Sequence, residues 1–134
     1  MTGQRLRRVN PDGIHAPTGY THIVEVQPGR LAYISGQVAI NPAGEFVGQG
    51  DIGAQTRQAF ENLKAALAAL GTDFSSVVKL NYYAVDESGL QEIRRVRQEY
   101  VGDGSPPAST FVFVKALVRP ELLIEIEAVV SLPV

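Results

Sequence analysis

The stretch LLIEIEAVV, residues 122–130, constrains the fold of this chain more than any other segment. It consists of aliphatic and β-branched residues with two glutamates, a composition typical of a β-strand. Because side chains alternate across a strand, the even-numbered aliphatic residues share one face, and Glu125 and Glu127 share the other. Two neighbouring carboxylates therefore stand on a strand that is otherwise suited to a protein core, and they are candidates for a functional site.

Length and composition predict one soluble, cytoplasmic domain over residues 1–134. The chain is 45% hydrophobic, which is enough for a core, and it has no cysteine for disulfides or thiolate chemistry. His15 and His22 are too few for a zinc site, so no metal is expected. A formal net charge of -2 argues against nucleic-acid binding. The N-terminus shows no secretory h-region, and the apolar runs are shorter than the ~20 residues of a membrane span.

Periodicity predicts two helices between β-strands. Apolar residues at helical spacing predict helices over 54–70 and 88–100, the second opened by a capping box of Ser88 and Gln91. Strands are predicted at 4–9 (an edge strand), 21–26, 31–40, 77–85, 109–116 and 122–130. The turn at Pro28-Gly29 indicates that the second and third strands form a hairpin. The order β-β-α-β-α-β-β after the edge strand predicts a two-layer α+β sandwich.

The strand over 77–85 is apolar on both faces. Leu80, Tyr82 and Ala84 are predicted on one face, and Val77 and Tyr83 on the other. Helices are expected to cover only one face of the sheet. A small domain with an uncovered apolar face usually buries it against a copy of itself, so a homo-oligomer is expected.

Several segments, taken together, resemble the RidA/YjgF family, the reactive intermediate deaminases, formerly called L-PSP endoribonucleases. The most specific are the strand LAYISGQ at 31–37 and the ending RPELLIEIEA at 119–128. The similarity continues through Gln55-Thr56-Arg57-Gln58, Asn62-Leu63, Val77-Val78-Lys79, Asp86 and Pro107-Ala108. These segments occur in the family's order and span nearly the whole chain.

The resemblance implies a chorismate-mutase-like fold and a homotrimer with a barrel-like central core. Three clefts would lie between neighbouring subunits and bind a small molecule. In active members the cleft hydrolyses enamines and imines derived from amino acids, giving 2-keto acids and ammonia without a metal or organic cofactor.

The resemblance also assigns residues to the cleft. Glu125 corresponds to the glutamate that orients water or relays a proton, although a carboxylate bonded to backbone amides at an interface is the alternative. Glu127 is interpreted as structural. The substrate-binding positions are Tyr20 in a loop, Ser35 and Gly36 in the SGQ strand, and Ala108 and Ser109 in the late loop. Gly36, in mid-strand, indicates a bulge or a close approach by a ligand.

The clearest departure from the family is at Ser109, where active members carry an arginine that grips the substrate carboxylate in a bidentate fork. Serine supplies neither charge nor fork, and the loss of such a pair costs about 2–5 kcal/mol. Arg94 stands where some active members have a cleft asparagine, so it is a candidate for the missing charge. A solvated helix face is the alternative for Arg94, and Arg119 is expected at the surface or at an interface.

Three functions follow. The first is a RidA-like hydrolase acting on a small imine, enamine or related C=N metabolite, other than the usual 2-imino acids. The second is a non-catalytic trimer that binds a small metabolite. The third, an endoribonuclease, is the least favoured, because the chain is acidic and has no basic, aromatic stripe.

Overall fold

A computed structural model of the protein describes residues 6–102 and 104–134. Six strands and two α-helices follow one another in the order β1-β2-β3-α1-β4-α2-β5-β6. They are β1 (Leu6–Val9), β2 (Ile23–Val26), β3 (Arg30–Gln37), α1 (Ile52–Ala69), β4 (Val77–Ala84), α2 (Leu90–Val101), β5 (Ala108–Phe113) and β6 (Ile124–Leu132). The predicted edge strand is confirmed over β1, while its first two residues, Gln4 and Arg5, lie outside the described residues.

The strands form two sheets. The main sheet has the order β3-β6-β4-β5, in which β6 is antiparallel to both neighbours and β4 is parallel to β5. A separate two-stranded sheet pairs β1 with β2. The predicted hairpin of β2 and β3 is therefore wrong. The turn between these strands is a local signal, whereas the partner of β3 is the apolar strand β6, about ninety residues further along the chain.

Both helices pack on one face of the main sheet, and this confirms the predicted two-layer α+β sandwich. Aliphatic side chains of α1 and α2 meet the even-numbered residues of β4 and β6 in one cluster. At the centre, the buried ring of Phe60 stacks on Tyr100 with 5.1 Å between ring centroids. Among the described residues, no helix is both long enough and apolar enough to cross a membrane.

The N-terminal ends of the two helices show how well local sequence signals predicted the capping. Helix α1 is confirmed, and Asp51 caps it by accepting a hydrogen bond from the Ala54 backbone N–H at 3.0 Å. The capping box predicted for α2 is wrong. Asp86 instead accepts from the Ser88 backbone N–H at 2.9 Å and opens a short 3-10 turn, Glu87–Gly89, which leads into α2. Asp86, two residues before Ser88, thus provides the cap in place of Ser88.

The second face of the main sheet is uncovered in the single chain. Tyr33 is 75% exposed and Leu31 51% exposed on β3, and Val112 is exposed on β5. Val77 was predicted on this face but is buried in the core. The reason is a shift of register between Val77 and Lys79, which rotates the start of β4 toward the helices.

Candidate functional site

A β-bulge lies where the SGQ segment passes the last strand. Ile34 pairs with Ala128, and Gln37 pairs with Ile126, so that two residues, Ser35 and Gly36, stand opposite a single residue of β6. The bulge predicted at Gly36 is confirmed. Such an extra residue bends the strand and opens the ladder locally, and bulges are common beside active sites. Ser35 is exposed at this bend.

The carboxylate of Glu125 lies directly on Gly36. A Cβ atom built on Gly36 would overlap Glu125 Oε2 and would stand 2.6 Å from Cδ of the same glutamate. Only glycine leaves this space, because any side chain at position 36 requires Glu125 to move. The strand β3 therefore provides a bare backbone surface beneath the first acidic side chain of β6.

Glu127, two residues further along β6, has a different environment. Its Oε2 accepts a hydrogen bond from Asn81 Nδ2 at 2.8 Å and another from the Tyr83 hydroxyl at 3.1 Å. Loss of hydration, together with the hydrogen bond to Glu127, raises the pKa of Tyr83. Among the described residues, the side-chain carboxylate of Glu125 forms no hydrogen bond or ion pair. One carboxylate is thus held by its neighbours on β4, and the other remains available.

A shallow groove of about 350 Å³ runs past the free carboxylate. Its walls come from the end of β4, the start of β6 and the segment after β5; they are Tyr83, Val114, Ala116, Leu117, Val118, Glu125 and Glu127. Val118 is 85% exposed at the rim. The groove has apolar walls around an acidic end, an arrangement that suits a small ligand with a polar reacting group.

Two side-chain amides of α1, the buried Gln55 and the half-buried Asn62, hold the strands that carry this site. Gln55 Nε2 donates to the Glu121 carbonyl at 3.0 Å, and its Oε1 accepts from the Leu123 N–H at 2.9 Å, which fixes the approach to β6. Asn62 Nδ2 donates to the Val38 carbonyl at 3.0 Å, just after β3. The sequence analysis missed these roles. The sequence signal that could have indicated these roles is a pair of polar residues, seven positions apart, on a helix face that is otherwise apolar.

The loop that carries Tyr20 forms a second cluster. His15 Nε2 and the Tyr20 hydroxyl are hydrogen-bonded at 2.9 Å, and the His22 ring packs edge-on against the Tyr20 ring with 5.2 Å between centroids. The two histidines thus support Tyr20, a role that the sequence analysis did not predict. Among the described residues, no cluster of three or more acidic or histidine side chains could hold a metal ion.

This loop is attached to the segment that precedes β5. The buried Thr21 donates from its hydroxyl to the Pro106 carbonyl at 2.5 Å and from its backbone N–H to the Pro107 carbonyl at 3.0 Å. The next residues are Ala108 and Ser109, both half-buried at the edge of the main sheet. Tyr20 and Ser109 therefore belong to one region of the chain.

Ser109 and Glu125 do not meet within one chain. Ser109 pairs with Leu80 on the helix-covered face, whereas Glu125 pairs with Tyr83 on the open face. At ordinary strand dimensions they are about 10 Å apart along the strands and about 10 Å apart across them. The chain thus carries two half-sites, one of Ser35, Gly36 and Glu125, and one of Tyr20, Ala108 and Ser109.

The arginines named in the sequence analysis lie outside both half-sites. Arg119 is exposed and pairs with Glu121 at 2.8 Å. Arg94 is exposed on the outer side of α2 and lines a shallow groove there. A different arginine, Arg97, lies against Gly19, next to Tyr20.

The two-layer fold, with its SGQ bulge beneath a glutamate, is that of the RidA/YjgF family, and this chain belongs to that family. The family model described as endoribonuclease L-PSP matches residues 12–132. The chorismate-mutase-like α+β fold that the resemblance implied is confirmed by solved structures of the same family.

Three similar proteins illustrate the relationship. The protein DfrA of Myxococcus xanthus is 38% identical over 130 residues, which are 92% of this chain and 98% of that protein. The 2-iminobutanoate/2-iminopropanoate deaminase of Mus musculus is 36% identical over 104 residues, 78% of this chain and 76% of that protein. The crystal structure of the Rid family protein YyfB from Yersinia pestis is 41% identical, with a TM-score of 0.86, and covers 96% of this chain and 99% of its own.

Proposed function

We propose that this protein is a hydrolase that deaminates a small imine, enamine or related C=N compound. The observation that carries the proposal is the unpartnered carboxylate of Glu125, which lies on the bare backbone of Gly36 beside an open groove. The similarity to a 2-iminobutanoate/2-iminopropanoate deaminase supports this kind of reaction. Because serine occupies position 109, the preferred substrate differs from the usual 2-imino acids.

The chemistry requires one group that positions water. Glu125 accepts a proton from a water molecule as the water oxygen bonds to the imine carbon, and the imine nitrogen takes up a proton. Glu125 then passes its proton to the amine nitrogen of the tetrahedral carbinolamine, the C–N bond breaks to release ammonia, and the hydroxyl proton leaves to the solvent to give the carbonyl product. An enamine enters the same sequence after protonation at carbon. Ser35, at the bend of β3, lies beside this position and offers a hydroxyl to the ligand.

The two half-sites are proposed to join between subunits of a homotrimer. Within one chain, Glu125 and Ser109 lie on opposite faces of the sheet. The exposed side chains of Leu31, Tyr33 and Val112 support burial of the open face against neighbouring copies. In such an assembly the Tyr20 and Ser109 region of one subunit would face the Gly36 and Glu125 region of the next.

A trimer is therefore expected in dilute solution. Light scattering after gel filtration should give a mass three times that of the 14.5 kDa chain. Tyr33→Lys places a charge on the open face and should shift the mass toward the monomer, whereas Lys64→Gln, on the exposed surface of α1, should leave it unchanged. A wild-type mass equal to one chain would contradict the intersubunit site.

Release of ammonia is the direct test of the hydrolase. Imines generated in situ by oxidases, from simple amines and from α-amino acids, are supplied with and without the protein. We expect about tenfold or greater acceleration for at least one imine, and less for 2-aminoacrylate, because position 109 lacks the guanidinium. If no imine is accelerated while small carbonyl compounds raise the melting temperature, the protein is a metabolite-binding module instead.

A further inference from the structure

Arg97 lies at the half-site that lacks a charge at Ser109. On α2 it follows the buried Val96, and its guanidinium covers Gly19, the residue before Tyr20. A Cβ built on Gly19 would lie 2.8 Å from a terminal nitrogen of Arg97 and 3.4 Å from its Cζ. Gly19 also has φ = +78°, a conformation that favours glycine. The loop therefore contacts the guanidinium through its backbone, with no side chain between them.

The charge of Arg97 is uncompensated among the described residues. Arg57 and Arg95, which lie nearby on the helices, both pair with Glu99. Arg97 forms no ion pair or side-chain hydrogen bond within residues 6–102 and 104–134, although it is half-buried. Arg94, one helical turn earlier, lines the same shallow groove. A guanidinium in this state keeps its five N–H donors available for a ligand.

Tyr82 lies on the sheet face that carries Ser109. Tyr82 is almost fully buried, and its hydroxyl has no hydrogen-bond partner in the described part of the chain. Burial raises the pKa of Tyr82, and the positive charge of Arg97 opposes part of this rise. Tyr82 pairs with Phe111, and Ser109 lies two residues before Phe111 on the same face. The loop that Arg97 contacts at Gly19 is joined through Thr21 to the carbonyls of Pro106 and Pro107, just before Ala108 and Ser109.

We propose that Arg97 is the anion-binding residue of the site and that the substrate is a small anion other than the usual 2-imino acids. The guanidinium approaches from α2 over Gly19, not from β5, so the negative group of the substrate lies nearer to the Tyr20 loop than a clamp at position 109 would place it. The inference rests on the proposed function for the identity of the site, but anion binding can be measured without turnover.

The test uses pyruvate and its neutral analogue pyruvamide as probes, with calorimetry on the full chain. The wild type should bind pyruvate about tenfold or more tightly than pyruvamide. Arg97→Gln should weaken pyruvate binding by about tenfold and leave pyruvamide unchanged, and Arg97→Lys should recover part of the loss. Lys64→Gln, which removes one positive charge from the exposed surface of α1, is the matched control and should bind as the wild type does.

Equal affinity of the wild type for pyruvate and pyruvamide would overturn the inference, as would an Arg97→Gln variant that binds pyruvate normally. If Arg97→Gln does not fold, the wild-type comparison and Arg97→Lys decide the question. The two proposals fail separately. Arg97-dependent binding without release of ammonia from any imine retains the anion site and refutes the hydrolase, whereas turnover that Arg97→Gln does not change retains the hydrolase alone.

Discussion

Glu125→Gln is expected to lower the rate of ammonia release by about 10²–10⁴-fold, the usual contribution of a positioned general base. Glutamine keeps the shape of glutamate above Gly36, but its amide cannot take up the proton of an attacking water. Binding of a small carbonyl compound should change little, so kcat should fall much more than affinity. A coupled assay for ammonia gives kcat, and calorimetry gives the affinity.

Glu127→Gln is the contrasting variant, since it removes the same charge from the same strand face. Glu127 accepts hydrogen bonds from Asn81 and Tyr83. Its replacement should therefore act mainly on thermal stability and reduce kcat by less than about tenfold, because its role is structural. Equal losses of kcat in the two variants would assign the effect to the negative charge of the strand, and an unchanged rate in Glu125→Gln would refute the mechanism.

Ser109→Arg is expected to raise kcat/KM for 2-aminoacrylate by roughly 30-fold or more. A charge-assisted bidentate pair with a carboxylate contributes about 2–5 kcal/mol, and serine supplies none of it. Ser109 is half-buried at the edge of the sheet, and the chain just before it binds Thr21 beside Tyr20, so an arginine at position 109 would supply the missing charge to the proposed half-site. The rate of ammonia release from 2-aminoacrylate, generated in situ, measures the gain.

Two further substitutions at this position separate charge from geometry. Ser109→Lys supplies a point charge without the planar fork and should recover only part of the gain, while Ser109→Gln adds length without charge and should recover none. If Ser109→Arg folds, forms the same assembly as the wild type and shows no gain, position 109 does not contact the substrate carboxylate.

The periodic elements of this fold were predictable, because their signals are local. The apolar stripe of α1 and the alternation of β4 and β6 each identified an element within a few residues of its bounds. The pairing of β3 was not predictable in the same way, since its partner is β6 and the turn at Pro28-Gly29 reports only on its neighbours. The buried position of Val77 depends on a register shift that a strict period of two excludes.

The same distinction between local and long-range signals applies to the candidate site. A glycine in mid-strand predicted the bulge at Gly36, and the bulge explains how Glu125 can lie across β3. Sequence analysis named Arg94 as a candidate replacement charge, with a solvated helix face as the alternative; the structure shows Arg94 exposed and places Arg97 against the Tyr20 loop. Arg97 is four residues after the buried Ile93, so helical spacing alone sets it at the edge of the packed face. The contacts of the two histidines with Tyr20 could not be predicted, because they depend on the three-dimensional path of the loop.

The two amide side chains of α1 have a consequence for how such a site can diverge. Because Gln55 and Asn62 tie the same helix to the flanks of β6 and β3, α1 fixes Glu125 and Gly36 relative to each other. The opposite wall is built from a surface loop and one turn of α2, where insertions and exchanges are well tolerated. Substitutions in that wall can therefore change the ligand preference while the proposed reactive acid keeps its position.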